Sequence, residues 1–302
     1  MKDPFGREIK NIRISLTQRC DLNCFYCHRE GESKGSDGTL SPSDVNSILK
    51  TASQLDITKV KFSGGEPLMH PEIVRIIEIA DNHMEDVSMT TNGILLGDMC
   101  SELKDAGLDR VNVSLDTLNG DIYRDITGRD KVKEAMRGIE RAVGVGLYPV
   151  KINTLLMKGA NDDEIEKLIE FSGDVGAILQ LIEMTTSVDG IDEDFYREYH
   201  MPLDKIAERL RKRAHKIVKR DMHARRKYFL SDPKVEVELV RTMHNSTFCE
   251  NCTRLRVTSN AELKPCLLRT DNHVNIRKEL DEDEPLKDKF MKAIGNREPY
   301  WR

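Results

Sequence analysis

A chain of 302 residues in which short β-type runs alternate six times with helical patterns reads as an α/β fold on a parallel sheet, with a smaller region appended. Three observations carry this: the alternation, the helix start and stop residues between the runs, and a change of pattern after Pro202. Ile12–Thr17, Val60–Ser63, Val87–Thr90, Val111–Leu115, Val150–Leu155 and Ile178–Ile182 are the expected strands. Ser41 with Pro42 marks a helix start, and Asn161 with Glu164 three residues later reads as a capping-box-like pair. Gly107 and Gly146 read as helix stops, and Gly97–Ala106 as a helix that buries Cys100 as a small hydrophobe. Such a sheet can close or half-close as a barrel or lie open, and periodicity alone does not choose.

After Pro202 the pattern predicts a long basic helix from Leu203 to about Lys219, two short strands near Tyr228 and Val235, and a cysteine-bearing segment. The boundary falls near residue 220, dividing the chain into residues 1–220 and 221–302. Ten Arg or Lys between Arg209 and Lys227 read as a solvated face, Asp281–Glu284 as a solvated acidic loop, and Gly295 to Arg302 as a tail.

Composition narrows the function. A formal net charge of -5 gives no support for general nucleic-acid binding, which needs a basic face, so an anionic ligand must be held by a local cluster. No run of about eighteen apolar residues occurs, and Met1 to Lys10 lacks the apolar stretch of a signal peptide. The expectation is a cytoplasmic protein without a membrane or nucleic-acid partner. In that compartment seven cysteines point to metal binding or catalysis rather than disulfides.

Their spacing is informative. Cys20-x3-Cys24-x2-Cys27 follows the first strand, where three thiolates can face one metal centre. Three ligands for a cubane that normally takes four leave one iron able to accept a small chelating molecule. A zinc site completed by His28, or a few buried thiols, are the alternatives. Cys249-x2-Cys252-x13-Cys266 supplies a second triplet, with Arg254 and Arg256 close behind, and zinc with His273 or His244 is the alternative there.

With the aromatic Tyr26, the first motif resembles the signature of radical S-adenosylmethionine (SAM) enzymes. Ser63-Gly-Gly-Glu-Pro67 after the second strand is similar to that family's SAM-contacting segment, and Thr90-Thr-Asn-Gly93 and Ser114-Leu-Asp116 look like further parts of the same fold. Phe248-Cys-Glu-Asn-Cys-Thr-Arg-Leu-Arg256 resembles the second-cluster signature of the molybdenum cofactor biosynthesis protein A family, the GTP 3',8-cyclases. The resemblance spans essentially the whole chain. It implies an incomplete (β/α)6 TIM-like radical SAM barrel with a C-terminal iron–sulfur-binding region.

That resemblance implies two 4Fe-4S clusters, one on Cys20, Cys24 and Cys27 that binds SAM, the other on Cys249, Cys252 and Cys266 that binds the guanine of GTP. It carries SAM binding to Tyr26, Gly65, Ser114 and Thr185, and GTP binding to Arg13, Lys61, Thr90, Lys151, Arg254 and Arg256. Several cations suit a triphosphate, which carries about four negative charges. The implied reaction takes hydrogen from C3' of GTP with a 5'-deoxyadenosyl radical and joins C3' to C8. An electron donor and, downstream, a cyclic pyranopterin monophosphate synthase are the implied partners, and a homodimer is compatible with the resemblance. Another two-cluster radical SAM enzyme acting on a peptide, or a non-catalytic iron–sulfur redox sensor, are the competing functions.

Three positions depart from the family. Thr185 stands where a methionine that helps hold SAM is common, with Met184 one residue earlier; Lys61 replaces an arginine, keeping charge but losing the two-pronged donor. The chain ends Gly295-Asn-Arg-Glu-Pro-Tyr-Trp-Arg302 where many members end in Gly-Gly.

Overall fold

The structure is a computed structural model that describes residues 1–32, 37–185, 193–242 and 245–299, so His244 lies outside the described residues. The six expected strands form as β1 (Asn11–Ser15), β2 (Lys59–Ser63), β3 (Asp86–Thr91), β4 (Arg110–Ser114), β5 (Lys151–Leu156) and β6 (Ile178–Glu183), all parallel and paired in chain order. The helices between them are α1 (Pro42–Gln54), α2 (Ile73–His83), α3 (Leu96–Asp105), α4 (Gly120–Thr127), α5 (Val132–Gly144) and α6 (Ile165–Val175).

The region after β6 does not stand apart. It holds α7 (Glu193–Tyr199), α8 (Asp204–Arg213), β7 (Ala214–Lys219), β8 (Arg226–Ser231), β9 (Lys234–Val240), α9 (Ser246–Glu250), β10 (Arg254–Val257), β11 (Glu262–Lys264), β12 (Val274–Asn275), α10 (Arg277–Asp281) and α11 (Lys287–Gly295). Strand β9 joins the free edge of β6 and β10 the free edge of β1, both in parallel. A single sheet runs β12-β11-β10-β1-β2-β3-β4-β5-β6-β9-β8-β7, with β12 and β7 as its two edges, and so the barrel stays incomplete.

The strands alternate apolar and polar residues. Ile12, Ile14, Val60, Phe62, Met89, Val111 and Val113 point outward, at most 1% exposed, into the core formed with Ile48 and Leu49 of α1, Ile76 of α2, Leu103 of α3 and Ile139 of α5. Burying such a side chain stabilises the fold by about 1.5–3 kcal/mol. The other face carries Arg13, Lys61, Ser88, Arg110, Asn112 and Lys151 and encloses a cavity of ≈ 510 Å³. Cys100 is buried on α3, as expected of a small hydrophobe.

Four expectations are corrected. The basic helix ends at Arg213, because Ala214–Lys219 instead pairs with β8 as strand β7. The basic run 209–227 is not all a solvated face, since Arg220 and Arg225 line the cavity. The expected tail is in part ordered: Gly295 closes α11 and Arg297 is 5% exposed, while residues 300–302 lie outside the described residues. Asn161 caps no helix. Its fully buried amide donates to the carbonyls of Asp116 and Leu155, and its oxygen accepts from Met157 N, whereas Glu164 binds Thr117 and Leu118.

These bonds fix the loop after β5 to the loop after β4. Asn161→Ala strands three buried backbone groups, and is expected to cost about 3 kcal/mol. An unchanged midpoint of urea unfolding would refute the role.

Candidate active site

The first cysteine loop leaves the C-terminal end of β1 and is held from three sides. Gly65 N donates to Thr17 O at 2.7 Å and Glu66 N to Arg19 O at 2.8 Å. No side chain fits at Gly65, where a Cβ would lie 2.3 Å from Arg19 O. Glu66 accepts from Leu68 N, Thr91 Oγ1 and Asn92 N at 3.0, 2.7 and 2.7 Å; burial nevertheless pushes its carboxyl up to about 7. The Asn92 amide donates to Asp21 at 2.7 Å, and the Tyr26 hydroxyl donates to Asp116, whose carboxyl burial raises to about 6. The turn beyond Cys27 is strained: Arg29, Glu30 and Gly31 all have left-handed φ of 48°, 54° and 74°. Each non-glycine residue there costs about 1–2 kcal/mol.

The second triplet sits at the opposite end of the strands. In the register Arg254 faces Asn11 at the start of β1, so Cys252 lies below that end; Lys264 faces Arg256 across the antiparallel β10–β11 pair, which brings Cys266 back to the same level. Both chain ends close on this loop. Asp3 pairs with Arg7 at 2.6 Å and Arg297 at 2.9 Å, while Arg297 donates to Cys252 O and Arg7 to Cys249 O, Glu298 O and Pro299 O. His223 stacks on Phe248 with ring centroids 3.8 Å apart, and burial together with Arg254 lowers its pKa, leaving it neutral.

Between the two ends lies a cationic interior. One register row runs Arg256, Arg13, Lys61, Ser88, Arg110 across five strands. Burial drives Lys61 well below its ordinary pKa, with Arg110, Arg13 and Arg254 adding to the effect, and its ammonium donates to Asn112 at 2.7 Å. Arg13 and Arg256 both meet Glu30 at 3.1 Å. Although burial opposes its charge, those two guanidiniums hold the Glu30 carboxyl down at about 2. Farther round the sheet Glu238, 0% exposed, pairs with Lys151, Arg220 and Arg225 at 3.2, 3.0 and 3.1 Å, and burial is again outweighed, leaving its carboxyl at about 2. Burial takes Lys151 to about 8 even so. The Arg254 guanidinium has no hydrogen-bond or carboxylate partner among the described residues; burial and its neighbours Arg13 and Arg256 push its pKa well down. An enclosed, unpaired guanidinium of this kind calls for an anionic ligand.

Every residue expected from sequence lines this one cavity: the six clustered cysteines, Tyr26, Gly65, Ser114 and Thr185, and Arg13, Lys61, Thr90, Lys151, Arg254 and Arg256. Met184 lines it as well. Sequence reasoning missed Glu30, Asn112, Asp116, Gln180, Arg220, His223, Arg225, Glu238 and Arg297. Asn112 and Gln180 could have been found from the polar positions that interrupt apolar strands; Arg297 had no local signal.

Three thiols in each loop are the donor set that a cubane with one open iron takes. Both ring nitrogens of His273 are engaged, with Glu262 and Arg269 O. None of the seven cysteines is in a disulfide. Burial raises Cys20 to about 11 and Cys24 to about 12, whereas at Cys252 burial is overcome by Arg297 and Arg254, which favour the thiolate.

The Radical SAM superfamily model matches residues 14–172, and the Molybdenum Cofactor Synthesis C model residues 177–302. A probable GTP 3',8-cyclase of Pyrococcus abyssi is 49% identical over 304 residues, covering 99% of each chain; that of Methanocaldococcus jannaschii is 43% identical, covering 100% of this chain and 99% of its own. Among solved structures, Streptococcus suis SuiB bound to S-adenosylmethionine aligns with a TM-score of 0.69 at 16% identity, over 94% of this chain and 68% of that one. The protein anSMEcpe with bound AdoMet aligns at 0.61 and 17%, over 93% and 82%. These two likenesses show the fold.

Buried Glu238 is the counter-charge for Lys151, Arg220 and Arg225, so Glu238→Gln is expected to lower stability by about 3 kcal/mol in chemical denaturation. Its folded pKa of about 2 lies below the ordinary 4.5, so the carboxylate's contribution is full above about 4.5 and is lost as pH falls through about 2. Equal stability of variant and parent at neutral pH would remove Glu238 from this role.

Proposed function

The chain belongs to the radical SAM superfamily and, within it, to the GTP 3',8-cyclases, and from that premise we infer that it converts GTP to (8S)-3',8-cyclo-7,8-dihydroguanosine 5'-triphosphate in molybdenum cofactor biosynthesis. The observation that carries the site reading is the cationic cavity with a cysteine triplet at either end and Arg254 unpaired between them. We assign a SAM-binding 4Fe-4S cluster to Cys20, Cys24 and Cys27 and a second, substrate-binding one to Cys249, Cys252 and Cys266. When bound, the first group supplies the electron that cleaves SAM to methionine and a 5'-deoxyadenosyl radical, and the second offers guanine an iron without a thiolate.

The protein's own residues bind, orient and exclude water. Tyr26, Gly65, Ser114 and Thr185 are the proposed SAM contacts, and Met184, 3% exposed beside Ile126 and Met157, backs Thr185 where the family has a methionine. Gly65 brings bare backbone to the ligand, while the Tyr26–Asp116 bond keeps the cysteine loop over the ends of β4 and β5. Arg13, Lys61, Thr90, Lys151, Arg254 and Arg256 are the proposed GTP contacts. Their charges answer a polyanion, and because they project from a rigid sheet they can hold C3' and C8 of one nucleotide at reacting distance. The surrounding walls limit water around the radical.

We assign residues 1–220 to the radical-generating core and residues 221–302 to the second cluster site. An electron donor, a downstream cyclic pyranopterin monophosphate synthase, a homodimer and a cytoplasmic location complete the proposal. No helix among the described residues is long and apolar enough to cross a membrane. The peptide-modifying alternative has the fold likeness alone in its favour.

The test is anaerobic. Reconstituted protein with SAM, dithionite and one nucleoside triphosphate at a time is expected to yield cyclised nucleotide from GTP; SAM cleavage without it would overturn the substrate assignment. Cys20→Ala, Cys24→Ala and Cys27→Ala should each abolish 5'-deoxyadenosine, and retained cleavage would overturn the first-cluster assignment. Cys249→Ala, Cys252→Ala or Cys266→Ala should lose about four irons per chain yet keep some SAM cleavage. Arg254→Ala should lower cyclised product per 5'-deoxyadenosine by about tenfold.

A further inference from the structure

Glu30 stands three residues beyond Cys27, inside the left-handed turn, and its carboxylate joins two guanidiniums that reach it from different strands. Arg13 Nη1 of β1 lies 3.1 Å from one oxygen and Arg256 Nη1 of β10 3.1 Å from the other. All three side chains are 12–17% exposed. Arg13 also donates to Thr90 at 3.3 Å, so the link continues into β3. The turn itself is anchored to the second half of the chain. Lys264 Nζ donates to Gly31 O at 2.9 Å, Ser259 N and Oγ donate to Glu32 at 3.1 and 2.6 Å, and a Cβ on Gly31 would lie 2.7 Å from Leu267 O. Local strain is retained here where several independent contacts impose it.

Arg13, Arg254 and Arg256 repel one another, and Glu30 is the only carboxylate recorded within ion-pair distance of any of them among the described residues. We infer that Glu30 is a positioning residue of the reaction, fixing the Arg13 and Arg256 guanidiniums to the first cysteine loop so that the nucleotide wall and the radical-generating end share one reference point. This rests on the GTP reading above. Removing the carboxylate would leave the wall more positive and less ordered. A polyanion would still bind, but its ribose would no longer lie in register with the site where the radical forms.

The experiment compares Glu30→Gln with the parent as reconstituted holoenzyme. Iron content is measured first, then GTP affinity by equilibrium dialysis without SAM or reductant, then the ratio of cyclised nucleotide to 5'-deoxyadenosine under turnover. The expected result is unchanged iron, GTP affinity equal to or tighter than the parent's, and a ratio lowered by about tenfold. Glu30→Asp keeps the charge on a shorter arm and should restore part of that ratio. A merely structural role would lower iron or affinity along with the ratio, and that result, or an unchanged ratio, overturns the inference. If the parent itself gives no cyclised product from GTP, the substrate reading falls, an outcome distinct from a parent that works and a variant that matches it.

Discussion

Mutual repulsion among the cations inside the sheet is the constraint to which the rest of the molecule answers. A parallel sheet normally presents apolar side chains on both faces, because helices cover both. Here only the outer face of β1 to β6 is apolar, and the inner face places Arg256, Arg13, Lys61 and Arg110 in one register row with Lys151 close by. Two carboxylates, the partly buried Glu30 and the buried Glu238, hold opposite parts of this array. Packing of the outer layer keeps together what the interior charges would push apart, and the positive potential that remains favours a polyanionic ligand.

The two family regions divide the labour less cleanly than their boundary implies. Residues after β6 supply the strand on each flank of the six-strand core, β9 beside β6 and β10 beside β1. They also contribute Glu238, Arg220 and Arg225 to one wall and Arg254 and Arg256 to the other. Neither wall is complete without them. The first cysteine loop is in turn fastened to β10, β11 and the turn between them through Glu30, Gly31 and Glu32.

Much of this was legible in the sequence. Each of the six core strands begins and ends within two residues of its expected bounds, because β-branched runs flanked by glycine and helix-start residues are local signals. The cysteine triplets and the residues carried over by family resemblance all reach one cavity. What sequence reasoning missed depends on distant partners. Glu238 and Arg225 look like solvated charges until β8 and β9 turn them toward Lys151, and Ala214–Lys219 becomes a strand because β8 lies beside it. Asn161 precedes Glu164 at the interval of a capping box, yet tertiary carbonyls claim its amide. The alternation of Asn11-Ile-Arg-Ile-Ser15 and Lys59-Val-Lys-Phe-Ser63 was the clue to a polar interior.

The clasp of Asp3, Arg7 and Arg297 over the second cysteine loop joins two distant stretches of the sequence. Residues 294 positions apart share a buried ion pair, sheltered from solvent. Removing either partner therefore opens the same clasp. A polypeptide emerging from the ribosome cannot form it until residue 297 has been made, so the second cysteine loop is fastened only after every strand of the sheet has been synthesised.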